Sequence, residues 1–243
     1  MIDADAKLSE IILADAPLRL VEPGIYSVYT PGGPAGAYDR FGAATVYDVI
    51  ACSRLYNRLM WGYLTADYVA ICKNVLAASP EGWVLDIACG SLAFTAEFYA
   101  DFSSRPVLLL DQSLNLLRKG KSRLVKRRGR LPANMVFLQA DALQLPFKPE
   151  SFSSIISLNL LHCLEDVKTA LGELKRVLTA AGSAALTTLV LSGSRWSDGY
   201  LRMLAESGAL VQRNIDELLA VFDGLDMPVR HQVKGNLAFI TYR

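Results

Sequence analysis

Four polar side chains stand at the ends of short apolar runs and could meet around one ligand. Asp86 lies near the end of Trp83–Ile87, Asp111 closes Val107–Leu110, Asp141 follows Met135–Gln139, and Asn159 follows Ser154–Leu158. If these runs are strands of one parallel sheet, all four groups reach its carboxyl edge, where open α/β sheets bind ligands. An acid ending the second strand, 25 residues beyond Asp86, is the usual partner of the two hydroxyls of a nucleoside ribose. After the first strand come Ala88, Cys89, Gly90 and Ser91. All are small, so backbone can approach a ligand and the next helix can offer it free N–H groups. Each polar group could instead cap a helix, but four in register favour one crevice.

The elements needed to position them are visible around these runs. From Ser79-Pro80-Glu81-Gly82 onward, short apolar runs alternate with helical segments, and one helix is expected over Asp166–Leu178. Such alternation builds a parallel sheet with right-handed crossovers and helices on both faces. A fifth strand is expected at Ala184–Val190, a helix at Asp216–Phe222, and strands at Val229–Val233 and Leu237–Tyr242 joined by a tight turn at Lys234-Gly235-Asn236. Upstream, Thr30-Pro31-Gly32-Gly33-Pro34 must be loop, and Tyr38–Leu76 reads as helical and rich in aromatic residues.

The motifs Val84–Leu92 (VLDIACGSL), Leu108–Ser113 (LLLDQS), Asp-Ala-Leu-Gln-Leu-Pro-Phe at 141–147 and Ser154–Asp166, in this order, resemble those of the class I S-adenosylmethionine-dependent methyltransferases. The segment 171–186 resembles the helix and glycine-bearing turn that lead into the fifth strand, and Cys52–Tyr68 resembles the lid helices of small-molecule members, including quinone C-methyltransferases. The resemblance implies a Rossmann-like α/β fold with a mainly parallel seven-stranded sheet. It implies an N-terminal segment and helical lid over residues 1–78 and a cofactor-binding core over 79–243. S-adenosylmethionine would be the cofactor, and a small molecule held under the lid the methyl acceptor. Asp86 would meet the methionine amino group, with Ala88, Cys89 and Gly90 along the methionine and ribose. Asp111 would hold the ribose hydroxyls, Gln112 would flank the adenine, and Asp141 and Ala142 would meet its edge. Asn159 would sit near the sulfonium, and Tyr47, Tyr56 and Trp61 could roof the cofactor. Two positions depart from the family's acid followed by G-x-G-x-G: Ala88 replaces the first glycine and Leu92 the third.

Methyl transfer from a sulfonium needs alignment and exclusion of water more than a base. His162 is the candidate base where the acceptor must lose a proton; it is equally readable as a residue that shapes the pocket. Composition narrows the remaining classes. The apolar stretches are about ten residues long, too short to span a membrane, and the acidic start lacks a signal peptide's pattern, so a cytoplasmic protein is expected. Cys52, Cys72, Cys89 and Cys163 have no C-x-x-C pair and no zinc-ligand spacing to a histidine, so no metal site is expected. Eight of the 25 basic residues fall in Arg118–Arg130. The leucine stripe Leu114, Leu117, Leu124 makes this run a solvated helix face rather than a nucleic-acid site. Three alternatives remain: a nucleic-acid methyltransferase using that run, a nicotinamide dehydrogenase, which would need G-x-G-x-x-G in the first turn, and a non-catalytic binder of the same cofactor, suggested by Leu92.

Overall fold

The computed structural model describes residues 3–30 and 53–243. Its centre is a run of mostly buried strands: β3 (Trp83–Ile87), β4 (Val107–Asp111), β5 (Met135–Gln139), β6 (Phe152–Leu158) and β7 (Leu178–Leu189). Alternate residues feed two cores. Leu85, Leu108, Leu110, Val136 and Leu138 pack on one face, and Val84, Val107, Leu109, Met135 and Phe137 on the other. Strands apolar on both sides need helices on both sides. The first face is covered by α1 (Ala4–Ile11), α6 (Val167–Val177) and α8 (Ile215–Asp223). The second is covered by α3 (Ala66–Ala78), α4 (Ala96–Asp101) and α5 (Leu114–Arg128), together with Trp61 at the end of α2 (Arg54–Trp61) and Leu201 in α7 (Arg195–Glu206).

The sheet order is β1 (Arg19–Glu22), β2 (Ile25–Ser27), β5, β4, β3, β6, β7, β9 (Leu237–Tyr242) and β8 (Val229–Lys234). The chain builds outward from β3 to β4 and β5, then returns to add β6 and β7 on its other side, all parallel. The reversal of order beside β3 opens a crevice at the carboxyl ends. The antiparallel β8 (Val229–Lys234) and β9 (Leu237–Tyr242) close the far edge.

The sheet has nine strands among the described residues, not the expected seven. The extra pair is a hairpin, β1 (Arg19–Glu22) and β2 (Ile25–Ser27), whose β2 pairs parallel with β5. Four- and three-residue strands carry too little periodicity to be read from sequence. The glycine-bearing turn expected before the fifth strand is a bulge inside β7, where pairing with β6 shifts register between Leu178 and Ser183.

The basic run is α5. Leu116, Leu117, Gly120 and Leu124 face the core, while Arg118 and Lys121 pair with Glu22, and Arg127 and Arg128 with Glu97 and Asp101. Much of its charge is therefore spent within the chain.

The β8–β9 turn anchors α2. Gly235 takes φ +56°, Asn236 N–H donates to the Trp61 carbonyl at 3.0 Å, and Lys234 pairs with Asp67 of α3 at 2.9 Å. A β-carbon at Gly235 would run into that same Trp61 carbonyl. Gly235→Ala should therefore cost about 1–3 kcal/mol of stability in urea denaturation, from strain and the forced shift of α2. An unchanged midpoint would show that α2 is not held by this turn.

Candidate active site

The strand-to-helix turn after β3 is built from left-handed residues. Ala88, Gly90 and Leu92 take φ of +59°, +57° and +56°, so the three positions that follow Asp86 at two-residue steps share one backbone state. That state is free for glycine and costs an L-residue about 1–2 kcal/mol. Asp111, at the end of β4, fixes the turn: its Oδ2 accepts the Gly90 N–H at 2.9 Å and its Oδ1 the Ser113 N–H at 2.8 Å. From behind, Arg123 of α5 donates to the Ser91 carbonyl at 2.5 Å.

Asp86 is fully buried beneath this turn. Its Oδ2 accepts the Tyr99 hydroxyl at 2.7 Å, while its Oδ1 is buried without a hydrogen-bond partner. Burial pushes its carboxyl up to about 7; nearby Asp111 adds to the rise, and the Tyr99 hydrogen bond opposes it. A buried, unmatched carboxylate oxygen of this kind fits a cation that arrives with a ligand.

Asn159, just beyond β6, also takes a left-handed φ, +64°. Its Nδ2 donates to the Tyr68 hydroxyl at 2.6 Å, Tyr68 donates to Tyr63 at 2.6 Å, and Tyr63 donates to Asn57 Oδ1 at 2.6 Å. The polar end of β6 is thus wired to α2 through a buried chain.

His162 lies in a short 3₁₀ turn, Leu161–Cys163, held by Arg213 through the carbonyls of Leu161, Leu164 and Glu165. Its Nδ1 accepts the Leu189 backbone N–H at 3.2 Å, which leaves the ring proton on Nε2. Burial, with Arg213 nearby, pushes its pKa down to about 4. At neutral pH the ring is uncharged and its basic nitrogen is occupied. This geometry suits the pocket-shaping alternative better than a general base.

Most of these groups border one cavity of about 360 Å³, within the range of small-molecule sites. Ala88, Gly90, Asp111, Gln112, Asp141, Ala142, Asn159, His162 and Tyr56 all line it. Asp86 and Cys89 do not; they border an adjoining recess of about 30 Å³ that shares Ala88, Gly90 and Asn159 with the main cavity. No β-carbon at Gly90 would meet an atom within 4 Å, so the turn leaves open space there. The opposite wall is apolar. Tyr56 and Trp61 of α2 meet Tyr200 of α7, with ring centroids 6.5 and 5.5 Å from it, and Leu189, Leu204 and Leu210 complete that side. Sequence reasoning missed α7 as part of the site. Its only signal is the spacing of Trp196, Tyr200 and Met203, which also suits an ordinary amphipathic helix. Tyr47 and Cys52 fall outside the described residues. Among the described residues, no cluster of histidine, cysteine or acidic side chains could hold a metal ion.

A methyltransferase domain family matches residues 85–186, from β3 into β7. A ubiquinone/menaquinone biosynthesis C-methyltransferase UbiE of Cellvibrio japonicus is 32% identical over 202 residues, covering 79% of this chain and 80% of that protein. The chain belongs to the class I S-adenosylmethionine-dependent methyltransferases. An uncharacterized chloroplastic methyltransferase of Arabidopsis thaliana is 31% identical over 114 residues, 46% of this chain and 32% of that protein. The chain thus spans only about a third of the length of that relative. The structure of phosphoethanolamine N-methyltransferase 2 of Haemonchus contortus with S-adenosyl-L-methionine aligns with a TM-score of 0.65 over 88% of this chain and 61% of that one, at 15% identity. That likeness shows the fold.

For a class I methyltransferase the departures at Ala88 and Leu92 now have a physical reading. They keep the left-handed backbone that glycine ordinarily supplies. Leu92 is buried in the core against α5, where a β-carbon at Gly120 would stand 3.2 Å from its Cγ; it does not line the main cavity and borders the small recess beside Asp86. Its cost in the free protein is backbone strain. Leu92→Gly should lose the roughly 2–5 kcal/mol of a truncated buried leucine and regain about 1–2 kcal/mol of strain. The expected result is a modest drop in the urea midpoint, with S-adenosylhomocysteine affinity by calorimetry within a few fold. A variant that binds where the wild type does not would mark the site as retired.

Proposed function

We propose that this chain transfers the methyl group of S-adenosylmethionine to a small, largely apolar acceptor enclosed between the strand ends and a lid formed by α2 and α7. The observation that carries the proposal is the unpartnered, buried Asp86 Oδ1 beside a left-handed turn, in a recess adjoining a chamber with polar strand ends on one side and an aromatic and aliphatic wall on the other. The residues present fit the cofactor. Asp86 would receive its ammonium group, and Ala88, Cys89 and Gly90 would lie along its methionine and ribose. Asp111, which accepts the Gly90 and Ser113 N–H groups, would also accept the ribose hydroxyls. Gln112, Asp141 and Ala142 would border the adenine, and Asn159 would face the sulfonium end. When bound, the cofactor supplies an activated methyl group. The chain's own work is then alignment and dryness: Tyr56, Trp61 and Tyr200 exclude water, and Asn159 is pinned by Tyr68 and Thr187. His162 holds the 3₁₀ turn to the sheet.

The Cellvibrio relative, a ubiquinone/menaquinone C-methyltransferase, supports a quinone-type acceptor methylated at carbon, and the aromatic and aliphatic wall of the chamber agrees with it. No described helix is long and apolar enough to cross a membrane.

Calorimetry with S-adenosylhomocysteine tests the cofactor assignment. Asp111→Ala should weaken binding by at least about 1.5–3 kcal/mol, the value of a hydrogen bond to a charged group, and by more if the turn also loosens. Unchanged affinity would remove Asp111 from the site. For the acceptor, labelled S-adenosylmethionine should pass its methyl to demethylated quinols. Trp61→Ala should cut that transfer while leaving cofactor affinity within a few fold; full transfer by the variant would end the lid reading.

Asp86 gives a pH test with a definite sign. Its carboxyl titrates near 7 in the free protein, and an ammonium ligand favours the ionised form. S-adenosylhomocysteine affinity should therefore rise from about pH 6 to pH 8, with protons released on binding. A carboxyl whose pKa is raised by folding contributes stability below its ordinary value, lost as pH climbs through 7. Asp86→Asn should thus bind weakly yet melt no lower than wild type at pH 8. Tight binding by that variant would contradict the assignment.

A further inference from the structure

Seven large apolar side chains are markedly exposed among the described residues, and five of them lie on the two lid helices and the turn after α2. Leu55 and Leu59 of α2 are 66% and 69% exposed, Leu64 follows in the turn, and Trp196 and Met203 of α7 are 76% and 53% exposed. Scattered apolar residues are normal on a protein surface, whereas a cluster marks an interaction site. The two stripes adjoin. Tyr56 and Tyr200 are in ring contact and their hydroxyls are 3.0 Å apart, so the two helices that carry the exposed side chains lie side by side.

The same surface is basic. Arg58, Arg195 and Arg202 are exposed, and none of them makes an ion pair among the described residues. The sequence of α2 contains no acid, and the two acids of α7 are Asp198, which is buried within a loop-capping cluster, and Glu206 in its last turn. Arginines around exposed leucine, methionine and tryptophan form the composition that sits in the headgroup boundary of an anionic bilayer.

We propose that the outer faces of α2 and α7 form a membrane-docking surface for anionic lipid. The inner faces of these helices supply Tyr56, Trp61 and Leu204 to the cavity wall. On the reading of an apolar acceptor given above, docking would set the cavity rim against the layer from which that acceptor comes. The docking itself rests on the surface alone.

Vesicle sedimentation tests it, with phosphatidylcholine alone and with equal parts phosphatidylglycerol. Full-length protein should bind the anionic vesicles much more tightly than the neutral ones, and binding should weaken with salt. Trp61 and Trp83 are buried, so a blue shift of tryptophan emission on adding vesicles reports Trp196. Replacing Arg58, Arg195 and Arg202 by glutamine should weaken vesicle binding about a hundredfold, at about fivefold per arginine. Trp196→Ser with Leu59→Ser should remove the emission shift. Both variants should bind S-adenosylhomocysteine as wild type does, so failure of docking is separable from failure of the cofactor assignment. No binding to either vesicle would overturn the proposal. So would a concentration-dependent dimer in ultracentrifugation that the Trp196→Ser, Leu59→Ser variant abolishes, because the patch would then be an interface between copies.

Discussion

A single carboxylate sets the shape of the site. Asp111 accepts the Gly90 N–H through one oxygen and the Ser113 N–H through the other, tying the turn after β3 to the start of α5. The turn itself is strained at Ala88 and Leu92, so it persists only because its surroundings over-determine it. Asp111 pulls on it from one side, Arg123 on α5 grips the Ser91 carbonyl, and Leu92 plugs into the layer beside Gly120. The strand-order reversal beside β3 opens the crevice, and this arrangement leaves space at the turn, where a β-carbon at Gly90 would meet no atom within 4 Å.

The second constraint is electrostatic. A buried carboxyl with one unmatched oxygen is a liability in the free protein, and it is tolerable because Tyr99 supports its other oxygen. An ammonium group would relieve that cost, so the same desolvation that raises the pKa of Asp86 makes the site selective for a cationic ligand end. The side facing the strand ends carries no charge: His162 is held neutral, and the wall formed by α2 and α7 is aromatic and aliphatic. This is the environment expected where chemistry relies on alignment and dryness rather than proton transfer.

Sequence revealed the central strands and their polar ends because a buried parallel strand is an uninterrupted apolar run, and Asp111 and Asn159 punctuate such runs. The strands at Met135–Gln139 and Leu237–Tyr242 fall where they were expected. What stayed hidden depends on long-range pairing. Ile25–Ser27 becomes a strand only because β5 offers it an edge. The contribution of α7 arises from Tyr200 meeting Tyr56 across 144 residues. Leu92 was legible as a departure, but whether it crowded the ligand or only strained the backbone could not be read, because that depends on φ and on a glycine in another helix. The residues lining the main cavity include most of those expected, with Asp86 and Cys89 set beside it in the smaller recess.

The most direct test of the central claim is hydrogen exchange at the Gly90 amide, followed by NMR in the free protein and with S-adenosylhomocysteine. If Asp111 holds the turn ready for a ligand, this amide is protected in the free protein, loses its protection in Asp111→Ala, and gains more in wild type when the ligand binds. An amide that exchanges freely in the wild-type protein and is unchanged by ligand would contradict the account.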